Sequence, residues 1–202
     1  MRVTIRSGHL RASLAALFVV SACTAKTAGD APKTPADSTS NAAPNVMADL
    51  LRDVSEVEEK LVSLAKAMPA EKYGWRPGKG VRAVGEVFQH VAGDNYLMPA
   101  MLGTPAPDST GIKGEDYKTA EAYEQRKINK DAVIADLQTS FAHLKAAMQA
   151  APAARLGDEV SFFGQKSTAQ GVWIGATTHL HEHLGQSIAY ARMNGVVPPW
   201  SK

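Results

Sequence analysis

A chain of 202 residues, 45% hydrophobic and 21% charged, has the size and balance of one globular domain with additional segments rather than of two domains or a disordered polymer. Its formal net charge of +2 includes Arg2, Arg6 and Arg11 at the extreme N-terminus, so the remainder is close to neutral. No basic run or basic-aromatic stripe follows, and a nucleic-acid partner is therefore not expected.

Residues 1–22 read as a secretory signal. Basic residues precede the apolar run from Leu14 to Val20, which is shorter than the roughly 20 residues needed to span a bilayer. The run ends Val20-Ser21-Ala22-Cys23, which resembles a bacterial lipobox; that resemblance implies cleavage before Cys23 and lipidation of its thiol and new amine. Cys23 is also the single cysteine, so neither an intrachain disulfide nor a cysteine-based zinc site is available. Residues 23–45 hold that cysteine and then Ala, Ser, Thr, Pro and a few charges, a composition expected to form a disordered tether rather than a core. Its r.m.s. reach is about 25 Å by the flexible-coil relation. Thr24, rather than Asp, follows Cys23, which favours the outer over the inner membrane in a two-membrane bacterium. The expectation is a lipid-anchored protein of the cell envelope facing the periplasm.

From residue 46 to residue 197 the pattern is helical. Met47, Leu50, Leu51, Val54, Val57, Leu61, Leu64 and Met68 recur at three- and four-residue spacing, predicting an amphipathic helix that stops near Pro69. Tyr73 to Gly80, with one Pro and three Gly, predicts a loop. A second helix carries Val84, Val87, Phe88, Val91, Leu97 and Met98, and Pro99 is expected to disturb its last turn. A third runs from about Ala120 to Ala150, with Ile128-Asn129-Lys130-Asp131 as a candidate break. Glu159 to Lys166 reads as a short hairpin or loop, and a fourth helix covers about Ala169 to Met193, stopped by Asn194-Gly195 with a left-handed cap. Four such helices without sustained strand alternation predict an all-α four-helix bundle.

The fourth helix carries the chemistry. His179-Leu180-His181-Glu182-His183 places half of the chain's 6 histidines in five residues. At i, i+4, His179 and His183 share a face, whereas His181 is rotated by roughly 200° away from it. Two imidazoles on one face form half of a divalent-metal site, and His90 on the second helix is the candidate third ligand. Asp94 shares the face of His90 and could orient a ligand or act as a base. Gln186, three residues after His183, returns to the same face and could hydrogen-bond a ligand or a bound water. His181 and His143 are expected to be solvated, Glu182 exposed, Trp75 packed on the bundle, and Trp173 and Tyr190 in the core.

Two motifs resemble the DinB-like (DinB/YfiT-like) superfamily of four-helix-bundle metalloenzymes. One is Trp75-Arg76-Pro77-Gly78-Lys79-Gly80-Val81-Arg82-Ala83-Val84-Gly85-Glu86-Val87-Phe88-Gln89-His90; the other is His179-Leu180-His181-Glu182-His183-Leu184-Gly185-Gln186. The resemblance implies a facial triad of His90, His179 and His183 on one divalent metal (Zn, Ni, Mn or Fe), and a homodimer formed through bundle helices. It also implies a metal-dependent hydrolase or thiol transferase acting on a small molecule. Departures occur at Glu182 and Leu184, which flank the last histidine where relatives often carry His and a basic residue, and at Ala83, where Ser or Thr often caps the second helix. Three histidines leave coordination positions open, as a catalytic site requires. A non-catalytic envelope module that binds a metal or small ligand is the alternative.

Overall fold

A computed structural model describes residues 45–114 and 116–201. The expected signal peptide, Cys23 and the tether up to residue 44 lie outside the described residues. Within them the elements are α1 (Val46–Ala67), α2 (Val84–Met101), α3 (Lys118–Glu124), α4 (Lys130–Ala150), β1 (Glu159–Phe162), β2 (Gln165–Thr168) and α5 (Ala169–Met193). No helix among the described residues is long and apolar enough to cross a membrane.

Local signals set the helix limits. Asn45 caps α1 by accepting from the Ala48 N–H at 3.2 Å. Met68, ahead of Pro69, turns extended, as the steric demand of a following proline requires. Asn129 and Thr168 cap α4 and α5 in the same way, accepting from the N–H groups of Ala132 (2.9 Å) and Gly171 (3.0 Å). Gly195, at φ 75°, takes the left-handed position that ends α5. The expected break around Ile128–Asp131 is real, so the predicted third helix is two: short α3 and long α4. α2 continues to Met101, two residues past Pro99, because only the hydrogen bond that a proline N–H would have made is forfeited in that final turn.

The four long helices form the bundle, α1 and α2 each packing against both α4 and α5. Val54, Val57, Leu61 and Leu64 of α1 meet Phe88 and Val91 of α2, Leu137, Phe141 and Leu144 of α4, and Val172 and Leu180 of α5 in one core of fully buried side chains. A buried polar pair, Asn95 Nδ2 donating to Ser140 Oγ at 3.1 Å, ties α2 to α4 inside it. β1 and β2 form an antiparallel hairpin in which Phe162 faces Gln165.

The start of α2 is held by the preceding loop. Ala83 has no side-chain oxygen to cap the helix, so backbone groups do so. The carbonyls of Trp75 and Tyr73 accept from the N–H groups of Val84 (3.0 Å) and Gly85 (2.9 Å), and Glu86 reaches back to the Ala83 N–H at 2.8 Å. A Cβ on Gly85 would stand 3.1 Å from the Tyr73 ring, which explains a glycine inside the first turn. Tyr73 is itself fastened, its hydroxyl donating to the Ala65 carbonyl of α1 at 2.6 Å. The register of α2, and with it the position of His90, is thus fixed against the end of α1.

Candidate metal centre

His90 projects from α2, and His179 and His183 from successive turns of α5. One ligand atom from each lies within 4.8 Å of the other two. The Nε2 atoms of His90 and His179 are 3.1 Å apart. Two nitrogens bound to one cation at about 2.0–2.1 Å, with tetrahedral or near-right-angle geometry, stand about 2.8–3.4 Å from each other. The observed spacing fits a shared cation.

The backs of two rings are already committed. His90 Nδ1 lies 3.1 Å from Glu124 Oε2, at the end of α3. Arg82 holds that carboxylate as a fork, its Nε 2.6 Å from Oε1 and its second guanidinium nitrogen 3.1 Å from Oε2. Burial acts to raise the Glu124 pKa, but hydrogen bonds from His90 and Arg82 outweigh it and hold the carboxyl at about 2. An ionised Glu124 only accepts, so His90 Nδ1 carries the proton and its Nε2 lone pair faces the other histidines. His183 Nδ1 lies 2.8 Å from Gln186 Oε1, and Gln186 Nε2 donates to the Tyr190 hydroxyl at 3.0 Å. The Tyr190 ring meets Trp75 edge-on at 5.4 Å, which ties this chain of contacts back to the loop ahead of α2. An imidazole oriented by an acceptor on its far nitrogen is the arrangement that metal-ligating histidines adopt.

Asp94 lies elsewhere. Its Oδ2 is 3.1 Å from His179 Nε2 and 3.6 Å from His90 Nε2, on the side where the histidine nitrogens converge. It does not back a ring as Glu124 does. Burial lifts the Asp94 pKa to about 6, a rise that the charge of Glu124 reinforces and that of Arg82 opposes. Burial, followed by the nearby charges of His183, His90 and Arg82, depresses His179 to about 3. Burial also lowers His183, against the hydrogen bond that its Nδ1 donates to Gln186. Both α5 imidazoles are therefore neutral near pH 7, the state in which they can ligate.

Two supporting elements pack near the histidines. α3 packs on α2 at Gly93, one turn past His90, where a Cβ would stand at ordinary contact distance, 3.4 Å, from the Ala120 carbonyl; this docking brings Glu124 within reach. On α5, a Cβ on Gly175 would lie 2.9 Å from the Phe162 ring; the hairpin is seated there, one turn before His179. The histidines and Asp94 open into a cavity of about 320 Å³, also bounded by Tyr117 of the α2–α3 connection and Phe163 of the hairpin. A second cavity of about 410 Å³, near Met101 and Trp173, holds no histidine.

His90, His179, His183, Asp94 and Gln186 are thus brought together. His181 is exposed and paired with Asp53 at 2.8 Å, Glu182 is exposed, and Trp173 and Tyr190 are buried, as expected. His143 departs from expectation. It is half-buried against Tyr96, with ring centroids 5.2 Å apart, because its place on α4 flanks the apolar stripe. Glu124 and Arg82 were not anticipated. Arg82 stood inside the first motif, but no local spacing links it to a carboxylate 42 residues away.

Comparison with known proteins agrees with this architecture. Three solved structures share the fold at low sequence identity. A DinB-like protein from Bacillus cereus has a TM-score of 0.61 and 15% identity, over 74% of this chain and 93% of that one. A conserved protein from Enterococcus faecalis gives 0.61 and 17%, over 74% and 97%. A DinB-like protein from Bacillus subtilis gives 0.55 and 16%, over 73% and 92%. No curated protein matches the sequence. The family model described as the DinB superfamily matches residues 53–187, a span that contains all three histidines and the groups behind them. The chain belongs to the DinB superfamily.

Proposed function

We propose that His90, His179 and His183 hold one divalent cation and that the protein is a metal-dependent hydrolase of a small molecule. The observation that carries this reading is the convergence of the three imidazoles, with Glu124 and Gln186 fixing which nitrogen of His90 and His183 is free. A bound Zn, Ni, Mn or Fe ion would lower the pKa of a coordinated water or thiol towards about 7 and leave positions open for a substrate. Asp94 supports hydrolysis. Its carboxylate stands beside the Nε2 atoms, where it can accept a proton from a water on the ligand side, and Glu124 and Gln186 keep the rings from turning. Thiol transfer is the weaker reading, since an exported protein would not meet the cytoplasmic thiol pool.

We place the protein in the cell envelope, anchored through Cys23, on the strength of the leader and lipobox-like residues. The deciding experiment measures metal content by ICP mass spectrometry on the wild type and on His90→Ala and His179→Ala. A panel of esters and amides is then assayed with and without metal. About one metal per chain, lost in both variants, with metal-dependent turnover, supports the reading. Metal without turnover on any substrate leaves an envelope binding module, and no metal after incubation with zinc, nickel or manganese sinks the proposal.

A further inference from the structure

Phe163 is the one residue other than glycine with positive φ among the described residues, at 48°. With Gly164 at 77° it makes the two-residue turn between β1 and β2, a type I′ geometry in which Asn, Asp or Gly is the usual first residue. A bulky aromatic there is strained, and strain of this kind persists only where something holds it. The Phe163 ring itself makes one aromatic contact, its centroid 4.8 Å from that of Phe162, and stays largely outside the core. Phe162 does the packing, seated on Gly175 of α5, whereas the Phe163 ring is 51% exposed. Tyr117 is 52% exposed at the start of α3. Both exposed rings line the cavity into which His90, His179 and His183 open.

The rest of the cavity wall narrows the chemistry. Leu97 and Met98 are buried apolar side chains on it. Arg82 reaches it as well, but its guanidinium is committed to Glu124. Glu121 and Glu182, both exposed, add negative charge at the same cavity and disfavour an anionic group there. Two rings at the solvent side, an apolar wall and three imidazoles suit a molecule with two distinct ends.

We infer that Phe163 and Tyr117 form a recognition subsite for a neutral or cationic aryl body, whose polar head is directed at the histidine centre. The inference rests on the metal-centre reading, and it names the substrate class: small aryl compounds with a hydrolysable or metal-directed head group. Phe163 is then a specificity residue held in a costly backbone conformation by the hairpin, and Phe162 on Gly175 fixes where its ring stands. The volume of about 320 Å³ limits the ligand to a small molecule.

The test compares acetohydroxamate with benzohydroxamate, two probes with the same chelating head and different bodies, on the zinc-loaded full-length chain by calorimetry. The wild type is expected to bind benzohydroxamate about 10-fold more tightly. In Phe163→Asn and in Tyr117→Ala that preference falls to within about 2-fold, with zinc content unchanged. Phe163→Asn is also expected to melt at the same temperature as the wild type or higher, since Asn tolerates the left-handed position; a ring needed only for the fold would give a lower melting temperature. An absent aryl preference in the wild type, or one retained in both variants, overturns the inference. If the wild type takes up no zinc, the metal reading fails by itself. The subsite is then judged on the metal-free chain, from NMR shifts of the Tyr117 and Phe163 ring protons on adding benzohydroxamate: shifts at both rings support it, and none overturns it.

Discussion

The two halves of the histidine centre are braced in different ways. On the α2 half, His90 leans on an ionised carboxylate that arrives from another helix, and that carboxylate is itself gripped by Arg82. On the α5 half, His183 leans on Gln186, a neutral amide three residues along its own helix. A charged acceptor makes an imidazole a stronger donor to a cation than a neutral one does. The charged brace also depends on tertiary docking: α3 must pack on α2, and the loop carrying Tyr73 must hold the start of α2. The α5 brace needs only the helix. Basicity at this site is thus supplied by the half that is easier to disturb.

Removing a ligand is the bluntest way to break the comparison. His90→Ala and His179→Ala are each expected to abolish stoichiometric zinc binding at micromolar protein, measured by calorimetry, while both remain helical by circular dichroism. Next comes the charged brace. Glu124→Ala leaves His90 Nδ1 without an acceptor and Arg82 without its partner, and should weaken metal affinity about 10- to 100-fold. Glu124→Gln keeps an acceptor and removes the charge, so the α2 half comes to resemble the α5 half; a loss near the lower end, about 10-fold, is expected. If Glu124→Gln binds metal as tightly as the wild type, charge is irrelevant and the two braces are equivalent. Gln186→Ala should cost less than Glu124→Ala, because only a neutral hydrogen bond is lost.

The same contrast explains what could be read from the sequence. Gln186 could be seen because an i, i+3 relation within one helix is written in the spacing, and His179 and His183 were visible at i, i+4 for the same reason. The limits of α5 followed from its apolar period and from Asn194-Gly195. Glu124 carries no comparable signature. It is one acidic residue among 20, at the end of a seven-residue helix that periodicity had merged with α4. Its role arises from where α3 docks on α2, a tertiary fact. Tyr117 and Phe163 are not legible in the sequence, because connections lack a repeating pattern that would reveal which cavity they border. Asp94 was legible as a member of the His90 face, but not the nitrogens it would approach.

The smallest expected effect comes from the loop that positions α2, and it separates fold from chemistry. The Tyr73 hydroxyl donates to the Ala65 carbonyl, and burial, with the charge of Asp131 second, raises its pKa above the ordinary tyrosine value. The unfolded chain releases this proton near pH 10, whereas the folded one retains it to higher pH. Its contribution to stability is therefore complete below about pH 10 and is lost progressively as pH rises from there through the higher folded value. Thermal unfolding between pH 8 and pH 11 should show a falling melting temperature above about pH 10, with a shallower fall in Tyr73→Phe. Tyr123, which burial also raises, leaves a residual slope in that variant. At neutral pH Tyr73→Phe should cost about 1 kcal/mol of stability through the lost hydrogen bond, and change metal affinity by less than about 3-fold. A larger loss of metal affinity than in Glu124→Gln would mean that the placement of α2, and not the charge behind His90, governs the α2 half of the site.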